Sequence, residues 1–241
     1  MEYQSINREN LEKHFIVTPI DKNQYLLRIP KGTNTIQIQI PFIFNDDVAV
    51  LAGLMPDGSL IKDLRRIYFT QKKDVSKLYL FRDILYKIFS PSNKIFIRKG
   101  KGAFETYTNS KTLAYFFYHI LDIKSSNEET RIPKWIFQSP LSVKHAYIRA
   151  AFDMEAYMSN RLNEIRFITI DKNYAEDLKV LLKSVQIEST VKTRIGGTHR
   201  TIQYRISIYG KENFRQFAKA GFSMQMHKER LERALLNYHP K

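Results

Sequence analysis

The chain has 241 residues, with 39 Lys or Arg against 24 Asp or Glu, which gives a formal net charge of +15 at pH 7. An excess of this size favours a polyanionic partner, with nucleic acid ahead of a membrane surface. The absence of cysteine excludes disulfides, thiolate metal sites and cysteine nucleophiles. No signal-peptide pattern opens the chain, and no apolar run approaches ~18 residues. We therefore expect an intracellular protein without a membrane partner.

Residues 1–45 are expected to form an extended N-terminal segment that packs on the unit after it. Alternation of apolar and polar residues at 25–29 and 35–40 predicts two strands, separated by turn residues at 30–32. Asn45 then predicts the N-cap of a helix. That helix would run through residues 50–58 (VLAGLMPDG), an apolar stretch with a small pair, Ala52 and Gly53, shortly before Asp57.

The rest of the first half predicts a regular series of elements. A basic turn at 59–62 precedes a strand at 66–71, whose apolar Ile67 and Phe69 alternate with polar neighbours. Asp74 predicts the cap of a helix at 75–89, which Pro91 prevents from continuing. A hairpin at 94–98 and 104–108 and an aromatic helix at 110–121, capped by Ser110, complete the series.

The second half repeats this series. Residues 148–156 (IRAAFDMEA) again place a small pair, Ala150 and Ala151, before a carboxylate, and 98 positions separate Asp57 from Glu155. A strand at 164–170, a helix at 174–185 capped by Asn173, a hairpin at 190–194 and 201–208, and a last helix at 212–219 follow. An internal duplication explains the shared order. We expect an α+β chain with a first repeat at 46–125, a linker at 126–143 and a second repeat at 144–241.

The paired stretches also predict chemistry. Two helices that pack through small residues would bring Asp57 and Glu155 side by side, which is costly unless a cation joins them. Oxygen ligands favour Mg²⁺, with Mn²⁺ able to substitute, and such a site can support phosphodiester hydrolysis. The alternative is that each carboxylate only caps a helix or turn. The repeated design favours the metal site.

Polar and basic residues on the predicted strands and turns suit a DNA major groove, where Arg and Gln read base edges. The alternative for any one of them is a solvated sheet face. The candidate DNA-binding residues are Lys62, Arg65, Arg66, Tyr68, Thr70, Arg98, Lys101, Arg161, Arg166, Lys192, Arg194, His199, Arg200, Gln203 and Arg205.

The two stretches resemble the paired motifs of the LAGLIDADG homing endonucleases, in the single-chain form with both motifs. The resemblance covers roughly residues 40–241, and residues 131–136 (RIPKWI) are similar to the joint between the family's repeats. It implies two pseudo-symmetric αββαββα lobes whose antiparallel sheets form a saddle on duplex DNA. It also implies a long, imperfectly symmetric target, cleavage of both strands with short 3′ overhangs, and a monomer.

The resemblance also implies roles for particular residues. Asp57 and Glu155 would bind the catalytic metals. Lys228 matches the family's lysine near the second active site, and Lys124 is the nearest candidate for the first, although a straight alignment offers Glu128. Gln71 matches a position that orients solvent, and its counterpart lies near residues 169–171.

Two departures from the family pattern stand out. Pro56 precedes the first carboxylate, and Ala156 stands where the family usually has glycine. If that position needs glycine's backbone freedom, the second active site would be slower or absent, and the protein would nick or only bind DNA. Asp153, a second acid in the second motif, is interpreted as structural or as a cap.

The leading hypothesis is a site-specific, Mg²⁺-dependent double-strand DNA endonuclease, located in the nucleoid or in an organelle of a eukaryotic host. We expect an intron-encoded protein, since the chain lacks cysteine and ends in His239-Pro240-Lys241 rather than in a splice junction. Two alternatives stay open. One is an RNA maturase that binds its intron, and the other is a nicking or cleavage-deficient DNA-binding protein.

Overall fold

The N-terminal segment forms two small sheets in the computed structural model, which describes residues 2–72, 75–100, 102–126, 128–159, 163–196 and 201–236. Its elements are β1 (Ser5–Ile6), α1 (Arg8–Glu12), β2 (Ile16–Pro19), β3 (Gln24–Arg28), β4 (Ile36–Gln39) and β5 (Phe42–Ile43). The strands β2, β3 and β4 form one antiparallel sheet, and β1 pairs with β5. Both strands predicted in this segment are confirmed.

The N-terminal segment packs on the first lobe through aromatic side chains. The ring of Phe42 lies 5.0 Å from that of Phe116 and 6.1 Å from that of Phe89, and the ring of Phe15 lies 5.9 Å from that of Phe116. All four side chains are buried. Since a buried aromatic side chain removes a large apolar area from water, this contact makes the segment part of the first lobe's core.

The first lobe contains the first motif. Its elements are α2 (Asp46–Leu54), a 3₁₀ turn (Met55–Asp57), β6 (Gly58–Leu60), β7 (Ile67–Gln71), α3 (Ser76–Phe89), β8 (Phe96–Lys99), β9 (Phe104–Thr108) and α4 (Lys111–His119). Asn45 and Ser110 cap α2 and α4 as predicted, through bonds from the amides of Val48 and Leu113. The stretch after Asp57, predicted as a turn, begins instead with the strand β6. Asp74 lies outside the described residues.

The second lobe follows a short helix, α5 (Lys134–Gln138). Its elements are α6 (Leu141–Glu155), β10 (Ala156–Met158), β11 (Ile165–Thr169), α7 (Lys172–Ser184), β12 (Thr190–Gly196), β13 (Thr201–Ile208), α8 (Lys211–Ala220) and α9 (Gln225–Leu236). Two predictions were wrong here. Asp171, not Asn173, caps α7, because its carboxylate accepts from the amides of Asn173 and Tyr174. The helix expected to be the last is followed by α9.

The two lobes share one sheet topology. The strand orders are β6-β7-β9-β8 and β10-β11-β13-β12, antiparallel throughout, and Gly58 pairs with Phe69 as Ala156 pairs with Phe167. This confirms the predicted α+β fold with two pseudo-symmetric lobes. The repeat boundaries at 46–125 and 144–241 stay a prediction. None of the helices in the described parts of the chain is long and apolar enough to cross a membrane.

Small residues let α2 and α6 pack backbone to backbone at the lobe interface. Ala52, Gly53, Ala150 and Ala151 are all buried. A Cβ built on Gly53 would lie 2.7 Å from the Tyr147 carbonyl oxygen and 2.8 Å from the Ala150 Cβ. Because the first of these obstacles is backbone, it cannot move aside without separating the helices.

We therefore expect Gly53→Ala to destabilise the protein by about 1–3 kcal/mol, because an added methyl group overpacks the interface. Urea unfolding measures this change in the free energy of unfolding. Gly100→Ala is the control, since its Cβ would lie no closer than 3.3 Å to a neighbour. Adding Ala150→Gly to Gly53→Ala should recover part of the loss. Equal stabilities for Gly53→Ala and the wild type would show that the helices do not depend on this contact.

Candidate active site

The two motif helices end at the same place and bring their carboxylates together. Asp57 closes the 3₁₀ turn after α2, Glu155 is the last residue of α6, and the two side chains share a hydrogen bond. Pro56 stands early in the 3₁₀ turn, where a missing N–H is tolerated. The adjacency predicted from the small residues is therefore present.

The titration of the pair reflects its surroundings. Burial raises the pKa of Asp57, while hydrogen bonds from Glu155 and Gln71 act in the opposite direction. Burial and then the charge of Asp57 raise the pKa of Glu155 to about 8. Two carboxylates this close cannot both ionise cheaply, so without a cation the pair holds a proton at neutral pH. Glu155 borders the open side of the site, and a divalent cation arriving there would displace that proton.

This pair predicts a pH dependence of stability. The folded pKa of Glu155, about 8, lies above its ordinary value of 4.5. The stability that the bound proton contributes is therefore full below the unfolded pKa and is lost as the pH rises through the folded one. We expect the melting temperature of the metal-free protein to fall between pH 5 and pH 8 more steeply for the wild type than for Glu155→Gln. Parallel curves for the two proteins would contradict this.

A cleft of about 370 Å³ opens beside the pair. Residues from both motifs and from the second sheet line it: Pro56, Asp57, Glu155, Phe167, Ile168, Thr169, Ile170, Tyr174 and Gln203. Gln71 reaches Asp57 from β7, and its Nε2 donates to the carboxylate at 3.2 Å. The structure thus brings the candidate residues Asp57, Glu155 and Gln71 to one point, and Gln203 lies beside them.

The counterpart of Gln71 in the second lobe is Thr169. Strand register defines this match, because Phe69 and Phe167 hold equivalent positions opposite Gly58 and Ala156. The Thr169 hydroxyl accepts a bond from the Asp171 amide at 3.1 Å. The Thr169 hydroxyl can still donate its own hydrogen, but its side chain is shorter than that of Gln71 and has no amide. The two halves of the site are therefore chemically unequal.

The backbone at Ala156 does not need glycine, so this position gives no structural reason for a slower second site. Its φ of −100° and ψ of 157° describe extended backbone that any residue adopts, and Gly58 has a similar φ of −101° and ψ of −172°. What distinguishes Gly58 is space, since a Cβ there would lie 3.0 Å from the Tyr68 carbonyl oxygen. Neither position needs the left-handed conformation that glycine allows.

Lys124 lies in a second cleft beside the first motif. This cleft, of about 240 Å³, is also lined by Gly58, Ser59 and Glu128. The Lys124 Nζ donates to Asp122 at 2.5 Å, and this bond raises the pKa of the lysine, which therefore stays charged. Glu128, the alternative from a straight alignment, accepts bonds from Ser125 and Tyr118. Lys124 and Glu128 both line this cleft, and Lys124 is the one of the two that carries a positive charge.

Lys228 lies on α9 and lines a cleft other than the one beside the carboxylate pair, and its role near the second motif stays a prediction. This cleft, of about 370 Å³, is also lined by Arg149 and Lys219, and among the described residues no hydrogen bond or ion pair joins Lys228 to Asp57 or Glu155. On the neighbouring face of α9, Arg230 donates to the Met158 carbonyl at 3.3 Å. Because Met158 ends the strand that follows Glu155, Arg230 contacts the strand that continues the second motif. The sequence pattern did not single out Arg230.

Asp153 is structural, as interpreted. Its side chain is 2% exposed and accepts a bond from Lys77 Nζ at 2.9 Å and from the Ser223 amide at 2.8 Å. Lys77 belongs to α3 and Ser223 precedes α9, so the carboxylate ties the first lobe to the end of the second. Asp153 therefore has a structural role, unlike Glu155 two residues later, which lines the cleft.

The predicted DNA-binding residues fall on the uncovered face of each sheet or in the loops beside it. Tyr68 and Thr70 alternate with buried residues on β7, as predicted. Arg65 pairs with Asp63 in the exposed loop between β6 and β7, near Lys62. Arg166 is held by Glu164 and Tyr157. Residues of the hairpins also lie on these faces: Arg98, Lys192, Arg194, Gln203 and Arg205. Four candidates lie outside the described residues: Lys101, Arg161, His199 and Arg200.

Part of the chain matches a family model, and most of it is similar to segments of longer proteins. Residues 142–220 match the model of a LAGLIDADG-like domain. A probable translation initiation factor IF-2 of Methanocaldococcus jannaschii is 28% identical over 220 residues, which is 89% of this chain and 17% of that protein. The uncharacterized protein MJ1054 of the same organism is 27% identical over 129 residues, 52% of this chain and 14% of that protein. The chain thus corresponds to under a fifth of the length of either relative.

Solved structures share the fold. Mesophilic variants of the homing endonuclease I-DmoI match with a TM-score of 0.54 at 19% identity, covering 73% of this chain and 95% of theirs. I-DmoI in complex with DNA and Mn matches with a TM-score of 0.52 at 19% identity, covering 71% and 94%. Full-length DUF199/WhiA from Thermatoga maritima matches with a TM-score of 0.53 at 13% identity, covering 81% and 61%. The chain therefore shares the two-lobed fold of these structures, and its second lobe contains the matched LAGLIDADG-like domain.

Proposed function

We propose that the protein is a site-specific DNA endonuclease that depends on divalent metal ions. The observation that carries this proposal is the Asp57–Glu155 pair, which stands at the junction of two sheets whose uncovered faces carry basic, polar and aromatic side chains. A structural role alone would not require two acids to share a proton at this point. Similarity to I-DmoI, which has been crystallised with DNA and Mn, adds support.

The donor set suits a hard cation. Mg²⁺ is commonly held by one or two carboxylates, with water and substrate phosphates completing its coordination. Asp57 and Glu155 would hold it, and within the described ranges no group of three or more His, Cys, Asp or Glu side chains forms a complete protein cage. A bound divalent ion would supply water activation and would stabilise negative charge at the phosphate.

The chain's own residues supply the remaining tasks. Asp57 and Glu155 give up their shared proton as the cation binds. Gln71, already bonded to Asp57, orients that carboxylate. Lys124 carries a positive charge beside the first motif, where it can offset charge that develops on the phosphate. Arg230 is the corresponding candidate in the second lobe.

The finer parts of the proposal follow from the two-lobe arrangement. Two similar sheets on either side of one metal-binding pair support a monomer that binds a long, imperfectly symmetric duplex and cuts both strands, leaving short 3′ overhangs. The segments matched in the two relatives are small parts of longer, differently named proteins, which supports a module that is inserted into different host genes. An intron is the host element that we propose. Magnesium is the proposed natural cation.

A nicking enzyme is the second candidate, and the inequality of Gln71 and Thr169 favours it. If orientation of the solvent requires the Gln71 amide, the DNA strand that is cleaved at the Thr169 half of the site would be cut more slowly than the other strand. The product would then accumulate as a nicked duplex before it becomes a double-strand break.

A plasmid assay tests the proposal. Supercoiled plasmid carrying the uninterrupted host gene is incubated with the protein in Mg²⁺ or EDTA and resolved on a gel. Linear product that requires Mg²⁺ supports double-strand cleavage, and persistent nicked circles support the nicking enzyme. Retarded but uncut plasmid in both Mg²⁺ and Mn²⁺ would overturn the nuclease and leave a DNA-binding protein.

A further inference from the structure

The uncovered faces of the two sheets differ in chemistry although their topology is the same. On the first lobe, cross-strand neighbours of β7, β8 and β9 form an aromatic face, defined by Tyr68, Phe96, Arg98, Glu105 and Tyr107. On the second lobe, cross-strand neighbours of β12 and β13 form a cationic face, defined by Lys192, Arg194, Gln203 and Arg205. Because the two sheets have the same topology but different side chains, they would contact the two halves of one duplex with different chemistry.

The aromatic face is tied together by its own contacts. The rings of Phe96 and Tyr107 stack at 5.2 Å with 20° between their planes. The Arg98 guanidinium lies 4.6 Å from the centre of the Tyr107 ring and pairs with Glu105. Of the five residues that define this face, the one cation is thus paired with a neighbouring acid. At the edge of the face, the Arg66 guanidinium lies 5.3 Å from the centre of the same Tyr107 ring and donates to the Asn109 side chain. Phe96 remains 40% exposed, which leaves an apolar ring free for contact.

On the cationic face, positively charged side chains outnumber acidic ones. Lys192 stands opposite Arg205, and Arg194 stands opposite Gln203, whose Oε1 accepts from the Arg194 Nε at 2.9 Å. No carboxylate of the described chain pairs with Lys192, Arg194 or Arg205. The Arg205 Nε is buried without a hydrogen-bond partner among the described residues.

Base edges in the major groove distinguish these two chemistries. Guanine presents two acceptors, O6 and N7, which Arg and Lys bind, whereas thymine presents a methyl group, which apolar side chains contact. A glutamate repels guanine's acceptors and accepts from the cytosine amino group. The cationic face therefore suits guanine, and the aromatic face suits thymine or cytosine.

We propose that the protein reads a compositionally asymmetric target, with guanines in the major groove under the second lobe and pyrimidines presented to Phe96 and Glu105 under the first. This assignment rests on the proposed function, since it specifies the DNA that the same saddle would bind. It fixes the orientation of the protein on its site, because reversal would place Glu105 against guanine. It also makes Arg194, Arg205 and Glu105 specificity-determining residues.

A binding selection tests this inference. The full-length protein, in Ca²⁺, selects from duplexes in which both half-sites are randomised, and the bound fraction is sequenced. We expect guanine enrichment in one half-site only. Arg194→Ala should reduce that enrichment on the order of tenfold at one position and leave the other half-site unchanged. Arg205→Lys, which keeps a cation, should weaken it less. Lys179→Ala, on the exposed part of α7, is the control and should change neither half-site.

A second variant reports on the aromatic face. Glu105→Gln removes the acid that neutralises Arg98, so guanine should enter the half-site that Arg194→Ala leaves untouched. Equal base composition in the two half-sites, or a loss of affinity for all sequences alike in Arg194→Ala, would overturn the inference and indicate phosphate contact. A wild-type protein that retains no duplex at all would instead overturn the proposed function.

Discussion

Replacing Asp57 by Asn is expected to abolish DNA cleavage while duplex binding persists. The substitution keeps the size of the side chain and its bond to Gln71 but removes the charge that a divalent cation requires. Because metal assistance contributes several kcal/mol to transition-state stabilisation, the cleavage rate should fall by about a thousandfold or more. Glu155→Gln should have a comparable effect, since the two carboxylates share one site.

Single-turnover cleavage in Mg²⁺ measures the rate, and fluorescence anisotropy in Ca²⁺ measures binding. Asp46→Asn is the matched control, because Asp46 lies exposed in the first turn of the same helix, far from its C-terminal end. Its rate and affinity should equal those of the wild type. Asp57→Asn should also melt no lower than the wild type, since its amide oxygen can accept from Gln71 and from the protonated Glu155. A cleavage rate for Asp57→Asn within tenfold of the wild type would exclude this carboxylate as a metal ligand.

Replacing Asp153 by Asn is expected to destabilise the fold by about 3–5 kcal/mol, because it leaves the Lys77 ammonium buried without its counter-ion. The side chains of Lys77 and Asp153 are 6% and 2% exposed. An Asn can still accept a bond from the Ser223 amide, so the loss measures the charge rather than the cap. Urea unfolding gives the free energy, and two-state behaviour is checked with two probes.

The double variant Lys77→Met/Asp153→Asn separates charge from packing. With no buried charge left, it should recover much of the stability that Asp153→Asn loses. Asp83→Asn is the control on the same helix as Lys77, since its pair with Arg82 is exposed and should contribute under about 1 kcal/mol. If Asp153→Asn and Asp83→Asn cost the same, the buried pair does not hold the lobes together.

The central geometry was predictable because small residues carry specific packing information. Gly53 and Ala150 at the middle of two apolar stretches required close helix packing, and close packing placed Asp57 beside Glu155. The caps at Asn45 and Ser110 were predictable for a similar reason, since each polar side chain precedes a clear helical pattern. These features depend on residues close together in the sequence or on the repeat itself.

The features that were missed depend on tertiary contacts. The three-residue strands β6 and β10 form only because β7 and β11 lie beside them, and no pattern of alternation fits within such short segments. Asp171 and Asn173 are both able to cap a helix, and the choice follows from where β11 ends. Lys228 and Arg230 are two positions apart in one helix, so they point to different sides. The sequence does not give the rotation of α9 about its axis, so it cannot show whether Lys228 or Arg230 faces β10.

Anomalous diffraction from crystals of the DNA complex grown in Mn²⁺ tests the central claim most directly, namely that Asp57 and Glu155 hold the divalent metal. We predict anomalous density between the two carboxylates, within about 2.0–2.3 Å of an oxygen of each, and its loss in Asp57→Asn. Density elsewhere in a complex that cleaves its DNA on warming, with none at this pair, would contradict the account.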